Sequence, residues 1–135
     1  MKVDIFVNAR TDVYLKNLVS DENKAEETLA RAVLYSDAGA DGLFVPALTE
    51  LTQIAKITVG TKLAVNLLAW PGLPKAADLA KLGVRRLSAG SGISQIVWQR
   101  IGKLTEAFLA TGDSESFTKD FMAYGELQKI FANTK

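Results

Sequence analysis

Four short apolar segments recur along the chain, at residues 3–8, 42–47, 63–69 and 85–90. The middle two are almost continuously apolar, which is typical of strands buried on both faces of a parallel sheet. Segments with helical periodicity follow the four strands, and they predict helices at residues 22–38, 49–57, 74–82 and 93–111. The resulting order βαβαβαβα predicts an α/β protein with a parallel sheet.

The helices carry their own start signals and apolar stripes. Thr49 is the predicted N-cap of the second helix, with Leu51, Ile54 and Ala55 turned toward the core. Gly112 is the predicted end of the fourth helix. The apolar positions of that helix recur every three to four residues, at Ile93, Val97, Ile101, Leu104 and Phe108.

Aromatic and aliphatic residues continue beyond Gly112 and predict one or two further helices. We therefore expect a main body at residues 1–112 and a C-terminal helical tail at residues 113–135. From the strand count alone, two architectures are possible for the main body. It is either a small doubly wound sheet or half of an eight-stranded (β/α)8 barrel, a TIM barrel.

The composition of this 135-residue chain excludes several kinds of reactive group and partner, but it says little about the fold. The formal net charge of +1 gives no electrostatic reason to expect nucleic acid or an anionic membrane as a partner. The chain has no cysteine and no histidine, which removes thiolate chemistry and the commonest general base. No apolar run reaches the roughly 20 residues that span a bilayer, so a cytoplasmic protein is expected.

Ligands of parallel α/β proteins bind at the C-terminal ends of the strands, where Arg10 follows the first predicted strand. Its planar guanidinium matches the two oxygens of a carboxylate or phosphonate. An ion pair with Asp12 at the rim is an equally weighted interpretation.

Two further strand-end residues are candidates for contact with a ligand. Asn66 interrupts the apolar third strand, so its amide either satisfies a core neighbour or faces a ligand. Ser88 opens a glycine-containing turn into the long helix, which is either an anion-binding turn or a plain tight turn.

A metal site is not complete in this sequence. Asp12 is the one carboxylate predicted at the C-terminal end of a strand, whereas Asp41 precedes its strand and is expected to shape a turn.

Four motifs together resemble the isocitrate lyase/phosphoenolpyruvate mutase superfamily, and in particular its phosphonomutase-like branch. They are Asn-Ala-Arg-Thr-Asp at residues 8–12, Ala-Gly-Ala-Asp-Gly-Leu-Phe-Val-Pro at 38–46, Asn66 before Leu-Leu-Ala-Trp-Pro-Gly at 67–72, and Leu-Gly-Val-Arg-Arg-Leu-Ser at 82–88. Their order fits strands five to eight of the family's barrel. The stretch at 44–47 lacks the Glu that the lyases carry there.

This resemblance implies magnesium-dependent chemistry on C–C or P–C bonds of a small 2-oxo acid or its enolate. It also implies that Arg10 binds a substrate carboxylate or phosphonate, and that Asn66 and Ser88 line the same pocket. The family's Mg²⁺ ligands and its Lys-Lys-Cys-Gly-His loop lie in the first half of the barrel, so the resemblance places them outside this chain. It leaves open whether the chain is active alone.

Two hypotheses about function follow. In the first, the chain is the substrate-binding part of a lyase or phosphonomutase-like enzyme and associates with a complementary half-barrel. In the second, it is a half-barrel without catalytic activity that associates with itself as a structural or ligand-binding protein.

Overall fold

The computed structural model describes residues 3–132, which form two compact units divided between Gly90 and Ser91. The first unit holds a four-stranded sheet, three α-helices and a short 3₁₀ helix (Asp21–Asn23), and the second holds helices only. The predicted division at residue 112 falls inside the second unit, at the end of a helix, and stays a prediction.

The first unit alternates strands and helices as the sequence predicts. Four parallel strands pair in chain order, each with the next. The strands are β1 (Asn8–Arg10), β2 (Gly42–Val45), β3 (Ala64–Leu68) and β4 (Arg86–Ser88), and the connecting helices are α1 (Lys24–Asp37), α2 (Leu51–Gly60) and α3 (Ala76–Lys81). This arrangement confirms the predicted α/β class with βα units of a TIM-barrel type.

The first strand lies later in the chain than its apolar run predicts. Residues 3–7 precede the ladder because β2, the strand that pairs with β1, begins at Gly42. Asp41 lies directly before β2 and connects it to the segment before β1, and the turn role predicted for Asp41 stays a prediction. Its carboxylate Oδ2 accepts a hydrogen bond from the Val7 N–H at 2.8 Å, and the Val7 carbonyl accepts from the N–H groups of Asp41 and Gly42.

The core of the first unit lies between the sheet and its helices. Because side chains alternate along a strand, one face of β2 and β3 is buried against the helices and carries Leu43, Val45, Val65 and Leu67. From the helices come Ala25, Ala32, Ile54, Ile57 and Leu79.

Two details of the predicted helices are wrong. Glu50, not Thr49, is the N-cap of α2, because its carboxylate accepts hydrogen bonds from the N–H groups of Thr52 and Gln53 at 2.9 and 2.8 Å. The hydroxyl of Thr52, which donates to Oε2 of Glu50 at 2.5 Å, and after it these two N–H groups lower the pKa of Glu50 and keep the cap charged. The buried face of α2 also differs from the predicted one. Ile57 is buried, whereas Leu51, which was predicted to face the core, is 49% exposed.

The second unit consists of α4 (Gly92–Thr111), a 3₁₀ helix (Glu115–Thr118) and α5 (Tyr124–Ala132). Gly112 ends α4 as predicted, in the left-handed conformation with φ 70°. Contact between the rings of Phe108 and Phe117, with centroids 5.2 Å apart, joins α4 to the 3₁₀ helix. The predicted apolar stripe of α4 is present, but none of its residues is buried. No helix in residues 3–132 is long and apolar enough to span a membrane.

The turn between α3 and β4 depends on Gly83. Its φ of 88° is a conformation that residues with a side chain rarely adopt, and a Cβ placed there would lie 3.2 Å from Cβ of Thr58. Thr58 itself is fixed, because its hydroxyl donates to the Leu82 carbonyl at 2.5 Å. Gly39 has a similar φ of 91°, but no atom lies within 4 Å of its hypothetical Cβ.

Replacing Gly83 with Ala is expected to lower the free energy of unfolding by about 2 kcal/mol, from backbone strain and the contact with Thr58. The matched variant Gly39→Ala has the strain without the contact, and we expect a loss of about 1 kcal/mol. Equilibrium urea unfolding of both variants measures the difference. Equal losses would contradict the proposed role of Thr58.

Candidate functional site

The register of the ladder places one residue of each strand in a single row across the sheet. Arg10 on β1 pairs with Phe44 on β2, Phe44 pairs with Asn66 on β3, and Asn66 pairs with Arg86 on β4. Paired residues of a parallel sheet point to the same face. We call these four residues the cross-strand row.

The cross-strand row lies on the face of the sheet opposite the helices. Its neighbours along the strands, Leu43, Val45, Val65 and Leu67, form the helix-facing core, so the row must point the other way. The alternation also explains how a polar Asn fits an apolar strand: Asn66 does not enter the helix-facing core.

Asn66 and Ser88 lie together, as the sequence predicts for two walls of one pocket. The Ser88 hydroxyl donates a hydrogen bond to Oδ1 of Asn66 at 3.1 Å. Asn66 is only 2% exposed, and its Nδ2 donates to no acceptor within residues 3–132. The hydrogen bond confirms that the amide oxygen satisfies a neighbour, whereas contact of Asn66 with a ligand stays a prediction.

Arg10 is held at the end of β1 by two contacts. Its Nε donates to Oδ1 of Asp12 at 2.6 Å, which is the ion pair that was one interpretation of the sequence. Its Cζ lies 5.8 Å from the centroid of the Phe44 ring, a cation–π contact. The side chain is 50% exposed, and in the described part of the chain its two terminal nitrogens make no hydrogen bond. These nitrogens can still form a bidentate contact with an anion.

The loop after β1 is fixed by polar contacts that the sequence did not reveal. Lys24 is buried at the start of α1, where its Nζ contacts Asp21 at 2.5 Å and Asn17 at 2.6 Å. The same Nζ lies 5.8 Å from the centroid of the Tyr14 ring. Burial, with the nearby carboxylates of Glu26 and Glu50, raises the pKa of Tyr14. Its phenol is therefore protonated at neutral pH and acts as a hydrogen-bond donor, not as a base.

The end of β2 shows backbone strain. Pro46, which has no N–H for a ladder, ends the strand, and Ala47 follows with φ 65°. An Ala in the left-handed region costs about 1–2 kcal/mol and persists only where the surrounding structure enforces it. The strain lies at the C-terminal edge of the sheet, next to the strand that carries Phe44.

Magnesium does not fit the residues described. No group of three or more Asp, Glu, His or Cys side chains in residues 3–132 is placed to hold a metal ion. Asp12, the predicted strand-end carboxylate, is engaged by Arg10. We therefore derive no step through a metal from this part of the chain.

Arg86 is the residue of this face that sequence reasoning did not select. It comes two positions before Ser88, so strand alternation alone places both side chains on one face. That signal could have identified it once Ser88 was chosen.

Comparison with known proteins places the chain in a family. The phosphoenolpyruvate phosphomutase family model matches residues 1–109. An uncharacterized protein of Mycobacterium tuberculosis, found in two strains, is 44% identical over 88 residues, which are 65% of this chain and 33% of that protein.

Two solved structures from Burkholderia cenocepacia are also similar. One, assigned as a phosphonomutase, is 41% identical, with a TM-score of 0.70 over 77% of this chain and 42% of that one. The other, assigned as a lyase or mutase, is 28% identical, with a TM-score of 0.78 over 95% of this chain and 45% of that one.

The chain thus spans a third of its curated relatives and less than half of these structures. The motifs at its strand ends, the parallel sheet and these matches agree with one another. The chain belongs to the phosphoenolpyruvate phosphomutase family, within the isocitrate lyase/phosphoenolpyruvate mutase superfamily.

Proposed function

We propose that this chain supplies the substrate-binding half of a phosphonomutase- or lyase-like site that acts on C–C or P–C bonds of a small 2-oxo acid or its enolate. The observation that carries the proposal is the grouping of Arg10, Asn66 and Ser88 on the helix-free face of the sheet. Nitrogen and hydroxyl donors there match the oxygens of such a substrate.

Arg10 is the proposed carboxylate- or phosphonate-binding residue. Asp12 and the Phe44 ring orient its guanidinium, so less side-chain freedom is lost when an anion binds. The ion pair with Asp12 is partly exposed, and such pairs contribute only about 0–1 kcal/mol, so it opposes ligand binding weakly.

Asn66 is the proposed donor to the oxygen on which charge develops. Its carbonyl oxygen accepts from Ser88, and its N–H groups donate to no acceptor within residues 3–132. A fixed donor in a water-poor position stabilises an enolate more than a mobile one does, because it needs no reorganisation during the reaction. Ser88 is then a positioning residue for this amide.

The remaining chemistry of such a site is proposed to come from outside the described residues. The polar face described here binds and orients, but it offers no cluster of carboxylates for Mg²⁺. A complementary half-barrel is the proposed partner that supplies metal ligands and acid/base groups.

A second candidate function rests on the edges of the sheet. Within the described residues, β1 and β4 each pair on one side only. Unpaired strand edges invite pairing with another chain. A copy of the same chain would cover both edges, which corresponds to a self-associating half-barrel with a binding function only.

Replacing Arg10 with Ala is expected to weaken binding of oxaloacetate and phosphonopyruvate by about tenfold to a hundredfold, because a charge-assisted hydrogen bond is lost. Isothermal titration calorimetry on the isolated chain measures this change. Arg31→Ala is the matched control, since Arg31 forms a comparable exposed ion pair with Glu27 on α1. An unchanged affinity in Arg10→Ala would remove Arg10 from the site.

The self-associating half-barrel predicts a dimer or larger species for the isolated chain. Sedimentation equilibrium over a range of protein concentrations gives the mass. A mass that stays at the 14.6 kDa of one chain would contradict this second candidate and leave the first in place.

A further inference from the structure

We propose that two copies of this chain close one eight-stranded barrel, in which residues 3–7 of each copy pair with β4 of the other. The inference rests on the self-associating half-barrel, the second candidate function, and specifies which segments join and in which register. Within residues 3–132 the strands pair in chain order, so β1 and β4 are the open edges of the sheet. Two such sheets supply the eight parallel strands of a TIM barrel and leave no edge unpaired.

The hydrogen-bonded register of a barrel is staggered around its ring of strands. The strands of a TIM barrel tilt in a right-handed sense, so a path along the ladder bonds returns to its first strand about eight residues nearer the N-terminus. Each copy in a two-copy barrel contributes half of this stagger, about four residues. The cross-strand row, which runs from Arg10 to Arg86 in one copy, therefore continues at Phe6 of the other copy.

The segment that this stagger selects is apolar and uncovered. Residues 3–7 contain four apolar side chains that are 43–68% exposed, at Val3, Ile5, Phe6 and Val7. A Cβ on Gly42 would lie 2.8 Å from the Phe6 ring, so the ring lies over Gly42 on the helix-free face. Pairing with β4 of a second copy removes this apolar surface from water, which favours association.

The backbone of the segment before β1 has hydrogen-bonding groups for a second strand. The N–H of Val7 donates to Oδ2 of Asp41, and its carbonyl accepts from the Asp41 N–H, so both groups point toward β2. In a parallel ladder the backbone groups of successive residues point to opposite sides of the strand. The N–H and carbonyl groups of Phe6 and Asn8 therefore point to the open edge.

The backbone of β4 complements these groups. The Ser88 carbonyl accepts from the Ala69 N–H on the β3 side, so alternation directs the backbone groups of Leu87 to the open edge of β4. In the proposed register the Leu87 N–H donates to the Phe6 carbonyl of the second copy. The Leu87 carbonyl accepts from the Asn8 N–H of that copy, which completes the pattern of a parallel ladder.

The side chains that meet at this junction repeat a contact already present inside the sheet. Arg10 and Phe44 are paired on neighbouring strands, and Cζ of Arg10 lies 5.8 Å from the centroid of the Phe44 ring. The proposed register pairs Arg86 with Phe6 of the second copy, again with the arginine on the earlier of the two strands around the ring. Arg86 and Phe6 are both exposed in the single chain, so they are available for the same cation–π contact.

Disulfide trapping tests the register, because the chain has no cysteine of its own. The proposed register pairs Leu87 with Val7 of the second copy, at a strand spacing of about 4.8 Å that a disulfide spans. Within one chain the two residues are three strand spacings apart, about 14 Å, which is too far for a disulfide. The double variant Val7→Cys/Leu87→Cys therefore forms cross-links only between chains.

The matched control is Ala9→Cys/Leu87→Cys. Ala9 lies two residues after Val7, on the same face of β1, so in the proposed register its Cα is about 8 Å from that of Leu87, beyond the reach of a disulfide. Both double variants are oxidised and separated under denaturing, non-reducing conditions, and sedimentation equilibrium gives the mass of the wild-type chain. We expect a wild-type dimer, a covalent dimer of Val7→Cys/Leu87→Cys, and single chains of the control.

The possible contrary results separate the register from self-association. Cross-linking through Ala9 in preference to Val7 would show that the register is wrong, and a wild-type dimer without either cross-link would place the interface elsewhere. Either result would overturn the inference and leave the self-associating half-barrel intact. A wild-type chain that stays at the mass of one copy would overturn both and favour a complementary half-barrel as the partner. None of these results affects the proposed binding of a ligand at Arg10, which calorimetry tests separately.

Discussion

The register of the parallel ladder is the constraint on which the rest of the first unit depends. This register places Arg10, Phe44, Asn66 and Arg86 side by side on one face of the sheet. That face therefore carries polar side chains as well as one aromatic ring. The residues next to them along the strands therefore face the helices. These are Leu43, Val45, Val65 and Leu67, which are buried. A slip of one residue in any pair would bury an arginine or Asn66 among aliphatic side chains, which costs far more than the ladder bonds gain.

The same constraint explains why a buried amide is tolerated. Asn66 is almost fully covered, and the hydrogen bond that its oxygen accepts from Ser88 offsets part of the desolvation cost. Its N–H groups lack an acceptor in the described chain, and a ligand oxygen would complete the set. The proposed preference for oxygen-rich ligands follows from these donors.

The predicted strands and helices match the structure where the hydrophobic pattern agrees with the tertiary contacts. The near-continuous apolar runs on β2 and β3 predicted parallel strands correctly, and the side chains of these strands that face the helices are buried. It failed for residues 3–7, where an apolar run has no strand opposite it, and at Thr49, because the side chain of Glu50 reaches the free N–H groups instead. The apolar stripe of α4 predicted a helix correctly but not its exposure, which a single sequence does not determine.

Some features of the candidate site could be predicted from the sequence, and others could not. The sequence was sufficient to place Arg10 and Ser88 at strand ends and Asn66 within the third strand. The register could not be predicted, because it depends on which residues of neighbouring strands pair. Arg86 does not depend on register, since it lies two residues before Ser88 on one strand and alternation places both on the same face. The contacts of Lys24 with Asn17 and Asp21 join a loop to a helix start and have no periodic signature.

The helix-free face, with Asn66 near its centre, is the proposed ligand-binding face. An NMR titration of the labelled chain with oxalate, a stable planar dicarboxylate that resembles an enolate, tests this directly. We expect the resonances of the Asn66 side-chain amide and of the Arg10 Nε–H to shift in a saturable way. The side-chain amide of Asn23, which donates to Ser20 at the start of α1, should stay unchanged. Saturable binding that leaves the resonances of Asn66 unmoved would show that the ligand binds elsewhere.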